Sequence, residues 1–128
     1  MAVDQGIMPV SGFVAEVDMS GTGFQHRCMK SGTAAGQVNL CAATTDTVVG
    51  VLCNRPKAGR AASLAIDGVK KVVAGAAVTR GVSVTTDTTG RAIAAGAAAT
   101  SFGVALEAAG AAGDLIRVEL TIGGKANP

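Results

Sequence analysis

Apolar and polar residues alternate with a period of two along several stretches of the chain. Phe13, Ala15, Val17 and Met19 alternate with Val14, Glu16 and Asp18, and Val38 and Leu40 alternate with Gln37 and Asn39. Phe102, Val104 and Leu106 share one face of an extended segment. Ile116, Val118, Leu120 and Ile122 alternate with Arg117, Glu119 and Thr121, which is the clearest strand signal in the chain. Successive strand side chains point to opposite faces, so this spacing predicts half-buried β-strands rather than helices. Val, Ile and Thr suit such a pleated surface.

Glycine-centred breaks separate these runs. Asp67-Gly68 between two apolar runs predicts a hairpin with a type I′ turn, and Gly32 to Gly36 and Thr88 to Gly90 also read as turns. Short strands with turns between them predict an all-β barrel or sandwich. The alanine-rich stretch from Ala92 to Ala112 has room for one or two helical turns, although Gly96, Gly103 and Gly110 interrupt it. A faint repeat runs through the chain. Gly36-Gln-Val-Asn-Leu resembles Gly90-Arg-Ala-Ile-Ala at an offset of 54, and Gly50-Val51 resembles Gly103-Val104 at 53. Ala58-Gly59-Arg60 to Leu64 resembles Ala112-Gly113-Asp114 to Val118 at 54. This order predicts two similar β-units closing into one barrel. Residues 1–25 stand outside the repeat as an N-terminal arm or first edge strand, ahead of a β-barrel domain at 26–128.

Composition narrows the function. The chain has 128 residues, of which 25 are Ala and 18 Gly, with no Trp, no Tyr and three Phe. It is too apolar for a disordered segment. A formal net charge of +2 gives no concentrated basic face for nucleic acid. The densest basic run, Arg55, Lys57 and Arg60 with Lys70 and Lys71, reads as a solvated loop and hairpin. The longest charge-free stretches, 31–45 and 92–106, are 15 residues each, shorter than the ~20 apolar residues of a spanning helix. The N-terminus carries no secretory pattern. Three cysteines (Cys28, Cys41, Cys53) without Cys-x-x-Cys spacing read as reduced thiols of a protein made in a cytoplasm.

Catalytic chemistry is thin. His26 is the one histidine, so a Ser-His-Asp or Cys-His site would have to use it. With Cys28 it supplies two ligands where zinc takes three or four, and it reads as structural or solvent-facing. The nine carboxylates are scattered, several beside turn residues where Asp bonds its own backbone. Gly21-Thr22-Gly23 lacks the third glycine of a dinucleotide fingerprint, and Gly123-Gly124-Lys125 lacks the rest of a phosphate loop. The scarcity of aromatics removes stacking platforms. No catalytic residue, cofactor or metal is expected.

Two blocks of the second half carry a family resemblance. Ala74 to Gly90, with its Ala-Gly-x-x-Val-x-x-Gly-x-x-Val step and Asp87-Thr-Thr-Gly90 turn, is one. Phe102 to Leu120, with Gly-Val-Ala and a closing Gly113-Asp114-x-x-x-Val118-x-Leu120, is the other. Together, over roughly residues 47–122, they resemble the tailed-phage capsid cement, or head-decoration, family. The resemblance implies a small β-barrel of the β-tulip type and a non-catalytic role on the outer surface of an icosahedral virion capsid, after synthesis in the host bacterial cytoplasm. Its implied partners are the major capsid protein and two further copies of itself, a homotrimer at threefold or quasi-threefold positions, with no nucleic acid and no membrane. A generic β-barrel module of a phage tail or fibre is the alternative. Met8, Phe13, Met19 and Phe24 are the candidate contacts with capsid or neighbouring copies, because burying each contributes roughly 1.5–3 kcal/mol.

Overall fold

The computed structural model describes residues 9–96 and 100–126. These residues hold no helix. Ten strands follow one another: β1 (Pro9–Ala15), β2 (Cys28–Ser31), β3 (Gln37–Leu40), β4 (Gly50–Leu52), β5 (Ala61–Ala65), β6 (Val69–Val73), β7 (Ser83–Thr86), β8 (Ala92–Ala94), β9 (Thr100–Ala105) and β10 (Leu115–Ala126). The fold is all-β. The described part of the alanine-rich stretch holds β8, β9 and turns instead of a helical turn, because pairing with β7 and β10 outweighs the local propensity of alanine.

The first five strands close a barrel in the order β1-β3-β2-β4-β5, and the other five form a sheet in the order β6-β10-β9-β7-β8. The two orders are one topology used twice, and the register matches across the ladders except at the bulge in β1 between Val10 and Phe13. Met29 faces Leu40 and Gly50 in the first unit, as Val84 faces Ala94 and Gly103 in the second. Leu52 faces Leu64, as Ala105 faces Val118. The parallel contact Ala15–Val38 returns as the bridge Ala74–Ala92. Loop bonds repeat too: Ala15 N–H donates to Arg60 O at 2.9 Å, and Ala74 N–H to Asp114 O at 2.8 Å. The faint sequence repeat is therefore a structural duplication. Each unit wraps its own core, so the expectation that two units close one barrel is corrected to one five-stranded wrap per unit.

The cores follow the same rule. Ala15, Met19, Met29, Val38, Leu52, Ala62 and Leu64 fill the first barrel. Their equivalents Ala74, Val78, Val84, Ala92, Ala105, Ile116 and Val118 lie in the second cluster, with Cys28, Cys41, Val51 and Ala65 joining from the outer face of the first barrel. On β4 and β5, alternation thus sends Leu52 and Leu64 inward and Val51 and Ala65 toward the second unit.

Asp67-Gly68 makes a corner and not a hairpin. β5 is paired on both sides, with β4 and β1, and a closed barrel offers β6 no edge. Gly68 has φ 85°, while Asp67 lacks the positive φ that a type I′ turn also requires. The corner carries the chain from one unit to the next. The turns around Gly32–Gly36 and Thr88–Gly90 do join paired strands, β2 with β3 and β7 with β8.

Candidate interaction surface and the seam between the units

The seam is built where the second unit fails to close. In the first unit, Val14 N–H donates to Gly36 O at 2.9 Å and joins β1 to β3. The equivalent atoms of the second unit are Val73 N and Gly90 O, and they are held apart. Val73 N–H donates to His26 O at 2.9 Å, and Cys28 N–H donates to Gly90 O at 2.7 Å. The 26–28 segment of the first unit therefore satisfies both halves of the missing bond. Gly90, at φ 76°, presses against this strap, and a Cβ there would lie 2.6 Å from Leu40 Cδ1 and 3.0 Å from Cys28 O. Arg27 Nη1 adds a bond to Thr89 O at 3.1 Å. Burial and the adjacent Arg91 guanidinium pull Arg27 below the ordinary arginine value, with Asp87 partly opposing them.

His26 stands where its repeat equivalent is Gly81. Both have positive φ, 65° and 91°, and both N–H groups donate to equivalent carbonyls, Leu52 O and Ala105 O. A side chain in this conformation is strained, and the imidazole does have a task. Its Nδ1 lies 2.8 Å from Nζ of Lys70, which also donates to Lys71 O at 3.2 Å. Lysine brings donors alone, so Nδ1 is the acceptor. The reading of Lys70 as a solvated charge is corrected. Its side chain is fully buried, because alternation on β6 turns Lys70 and Val72 inward together. Arg55, Lys57 and Arg60 are exposed on the loop after β4. Arg55 ties that loop to Ser20 O with bonds of 2.9 and 2.6 Å. It also borders an open pocket of about 220 Å³ with Gly21, Thr22, Gly23, Gln25 and His26.

Carboxylates hold turns, and the two units exchange their placement. Glu16 accepts Thr33 N–H and the Thr33 hydroxyl at 2.9 and 2.8 Å, over Gly32. In the second unit the Glu16 position is Gly75 and the Gly32 position is Asp87. A Cβ on Gly32 would sit 2.5 Å from Glu16 Oε1, and one on Gly75 would run into Asp87 Oδ2. One carboxylate fills the same space from either strand. Asp87 Oδ1 accepts the N–H groups of Thr89 and Arg91 at 2.9 and 2.8 Å, and Oδ2 faces Arg91 Nε at 3.0 Å. Burial pushes this carboxyl up, but the donors of Arg91 and Thr89 outweigh it and hold it below the ordinary 3.8.

Glu16, Asp18 and Asp46 are lowered as well, chiefly by hydrogen bonds from Thr33, Ser20 and Ala42. A lowered carboxyl stabilises the fold above its unfolded value, and that stability is lost as pH falls through the folded value. Urea unfolding should thus show the chain weakening below about pH 4, with Asp87→Asn costing about 1–2 kcal/mol near neutrality and progressively less toward about pH 3. A difference that stays constant down to about pH 3 would show that the Asp87 charge contributes nothing.

The candidate contact residues fall in different places. Phe13 and Phe24 are half-buried and pack on the inner cluster of the first barrel. Met19 is 0% exposed inside that cluster, so its surface is unavailable to a partner. Met8 lies outside the described residues. Among the described residues, the large apolar side chains that do face solvent are Val17 at 38% and Leu115 at 45% exposure. Period-two reading had put Val17 on the core face, but β1 ends at Ala15 and the alternation ends with it. Both residues flank equivalent loops, since Ala15 bonds to Arg60 and Ala74 to Asp114. Among the described residues no three His, Cys, Asp or Glu side chains are grouped to hold a metal ion, and no helix is long and apolar enough to cross a membrane.

Set beside known proteins, residues 20–120 match the sequence model of a family described as phage cement protein. Among solved structures, the head fiber gp8.5 N base in bacteriophage phi29 aligns with a TM-score of 0.68, covering 90% of this chain and 94% of that one at 18% identity. At that identity the likeness is one of fold. A comparison with curated proteins found no match.

Proposed function

The chain belongs to the phage cement protein family, and on that premise we propose that it decorates the outer surface of an icosahedral phage capsid. It stabilises contacts between major capsid subunits as a homotrimer at threefold or quasi-threefold positions, without catalysis. The match over residues 20–120, which spans β2 to β9 and the first half of β10, is the observation that carries this reading. The fold suits the task. The first barrel is closed and leaves no free strand edge to aggregate, and residues 26–28 bridge the gap between β6 and β8 of the second sheet. A protein that binds the assembled lattice alone stabilises it by mass action, and a trimer gains avidity from weak single contacts. The segment before β1, with Met8, supplies contacts to capsid or neighbouring copies, together with the solvent-facing parts of half-buried Phe13 and Phe24 and with exposed Val17.

A second reading is a fibre base. The phi29 neighbour, a head fiber base, is covered over 94% of its length, so the same fold serves a part that anchors a fibre. Co-sedimentation with expanded cognate capsids tests both. Binding with raised resistance of the capsid to heat or chelator is the cement outcome, whereas binding that leaves capsid resistance unchanged is the fibre-base outcome. No binding sinks both. Deleting residues 2–8 should raise the apparent Kd for capsids about tenfold, which is a loss of roughly 1.4 kcal/mol. The deletion stops there because β1 begins at Pro9 and closes the barrel.

A further inference from the structure

We propose that Cys28 and Cys41 are a cross-strand thiol pair that closes to a disulfide when the protein meets an oxidising environment. The ladder of β2 and β3 pairs Met29 with Leu40, Lys30 with Asn39 and Ser31 with Val38. One step beyond this ladder Cys28 lies opposite Cys41, joined by a single bond, Cys41 N–H to Cys28 O at 3.1 Å, while Cys28 N–H turns to Gly90 O. Facing residues of an antiparallel ladder project to the same side, with Cα atoms about 5.5 Å apart when hydrogen-bonded. That spacing lies within the ~4.4–6.8 Å that a disulfide spans. Both side chains are fully buried in one apolar cluster. Cys53 stands elsewhere, its N–H on Ser63 O and its Sγ 3.6 Å from Val51 O.

The architecture does not itself require thiols there. The equivalent positions of the second unit are Ser83 and Ala95, whose backbone bond is the same, Ala95 N–H to Ser83 O at 2.9 Å.

The oxidant is a low-molecular-weight disulfide. One protein thiolate attacks it, forming a mixed disulfide and releasing one small thiol. The second thiolate attacks the mixed disulfide at the protein sulfur and releases the other small thiol. Two protein thiols are oxidised, one small disulfide is reduced to two thiols, and two protons pass from protein to product thiols. Burial pushes both groups up, Cys41 to about 12 and Cys28 well above its ordinary value. Thiolate is therefore scarce in the closed fold, and the exchange runs through opening of the 42–49 segment beside Cys41. The sulfur chemistry stands on the fold. Its setting, a particle leaving a reducing cytoplasm, rests on the proposed function.

The test uses the Cys53→Ser chain incubated with oxidised glutathione, then acid-quenched, denatured and alkylated. Mass spectrometry should show both thiols lost, a mass lower by two hydrogens, and a tryptic peptide joining residues 28–30 to the peptide holding Cys41. The unsubstituted chain, analysed in parallel against a misfolded variant, should keep Cys53 alkylatable. Two free thiols after long incubation, glutathione on both, or a joined peptide formed in denaturant alone would overturn the proposal. Each of these results is independent of capsid co-sedimentation, so either idea can fail by itself.

Discussion

Gly103→Ala should be among the most damaging single substitutions in the chain, lowering stability by about 3 kcal/mol and the thermal midpoint by roughly 10 °C. Gly103 lies in β9 where it passes β10. A Cβ there would strike the Glu119 carbonyl oxygen and sit 2.6 Å from Val118 Cγ1. The carbonyl belongs to the central ladder of the sheet and cannot swing aside as a flexible side chain would. Its backbone φ is ordinary, so the penalty comes from packing rather than from strain. The equivalent glycine, Gly50, is a control for this argument. Its nearest obstacle is the Leu64 Cβ at 2.8 Å, with Ala65 O at 3.2 Å, and Gly50→Ala should cost less than Gly103→Ala. Thermal unfolding of the two variants side by side checks the order. Equal small losses would mean that β9 and β10 slide freely.

His26→Gly should change sign with its partner. In the natural chain it removes the imidazole acceptor of buried Lys70, a loss of about 2–3 kcal/mol for a bond to a charged group. It also relieves a left-handed residue, a gain of about 1 kcal/mol. The net result is destabilisation of about 1–2 kcal/mol. In a Lys70→Met background that bond is already absent, and relief of the left-handed conformation should make His26→Gly stabilising by about 1 kcal/mol. Denaturant unfolding of the four proteins closes the cycle. Destabilisation of equal size in both backgrounds would show that the Lys70 contact contributes nothing and that the ring packs for its own sake.

Much of the fold was legible where local chemistry and tertiary context agree. β10 announces itself by strict alternation from Ile116 to Ile122, and the Gly36/Gly90 and Gly59/Gly113 pairs mark equivalent turns because all four adopt positive φ. β2, β7 and β8 are quieter. β7 is Ser-Val-Thr-Thr with three of its four residues buried, so alternation in polarity is missing where both faces are covered. The Asp67-Gly68 corner misled because turn chemistry reports a reversal of direction and not whether an open edge waits beyond it. Lys70 misled because charge predicts exposure unless a partner is supplied, and here the partner is 44 residues away. The candidate contacts were legible as large apolar side chains, but their division into buried Met19 and half-buried Phe13 and Phe24 depends on where β1 stops.

The strap at residues 26–28 also imposes an order of events. The first barrel is complete within residues 9–65, whereas the second needs His26 and Cys28 to fill the gap between β6 and β8. Synthesis runs in the favourable direction, since N-terminal units emerge and fold first. When β10 leaves the ribosome, the template that completes its unit is already standing. A circular permutant that begins at β6 would have to make the dependent half before the half it depends on.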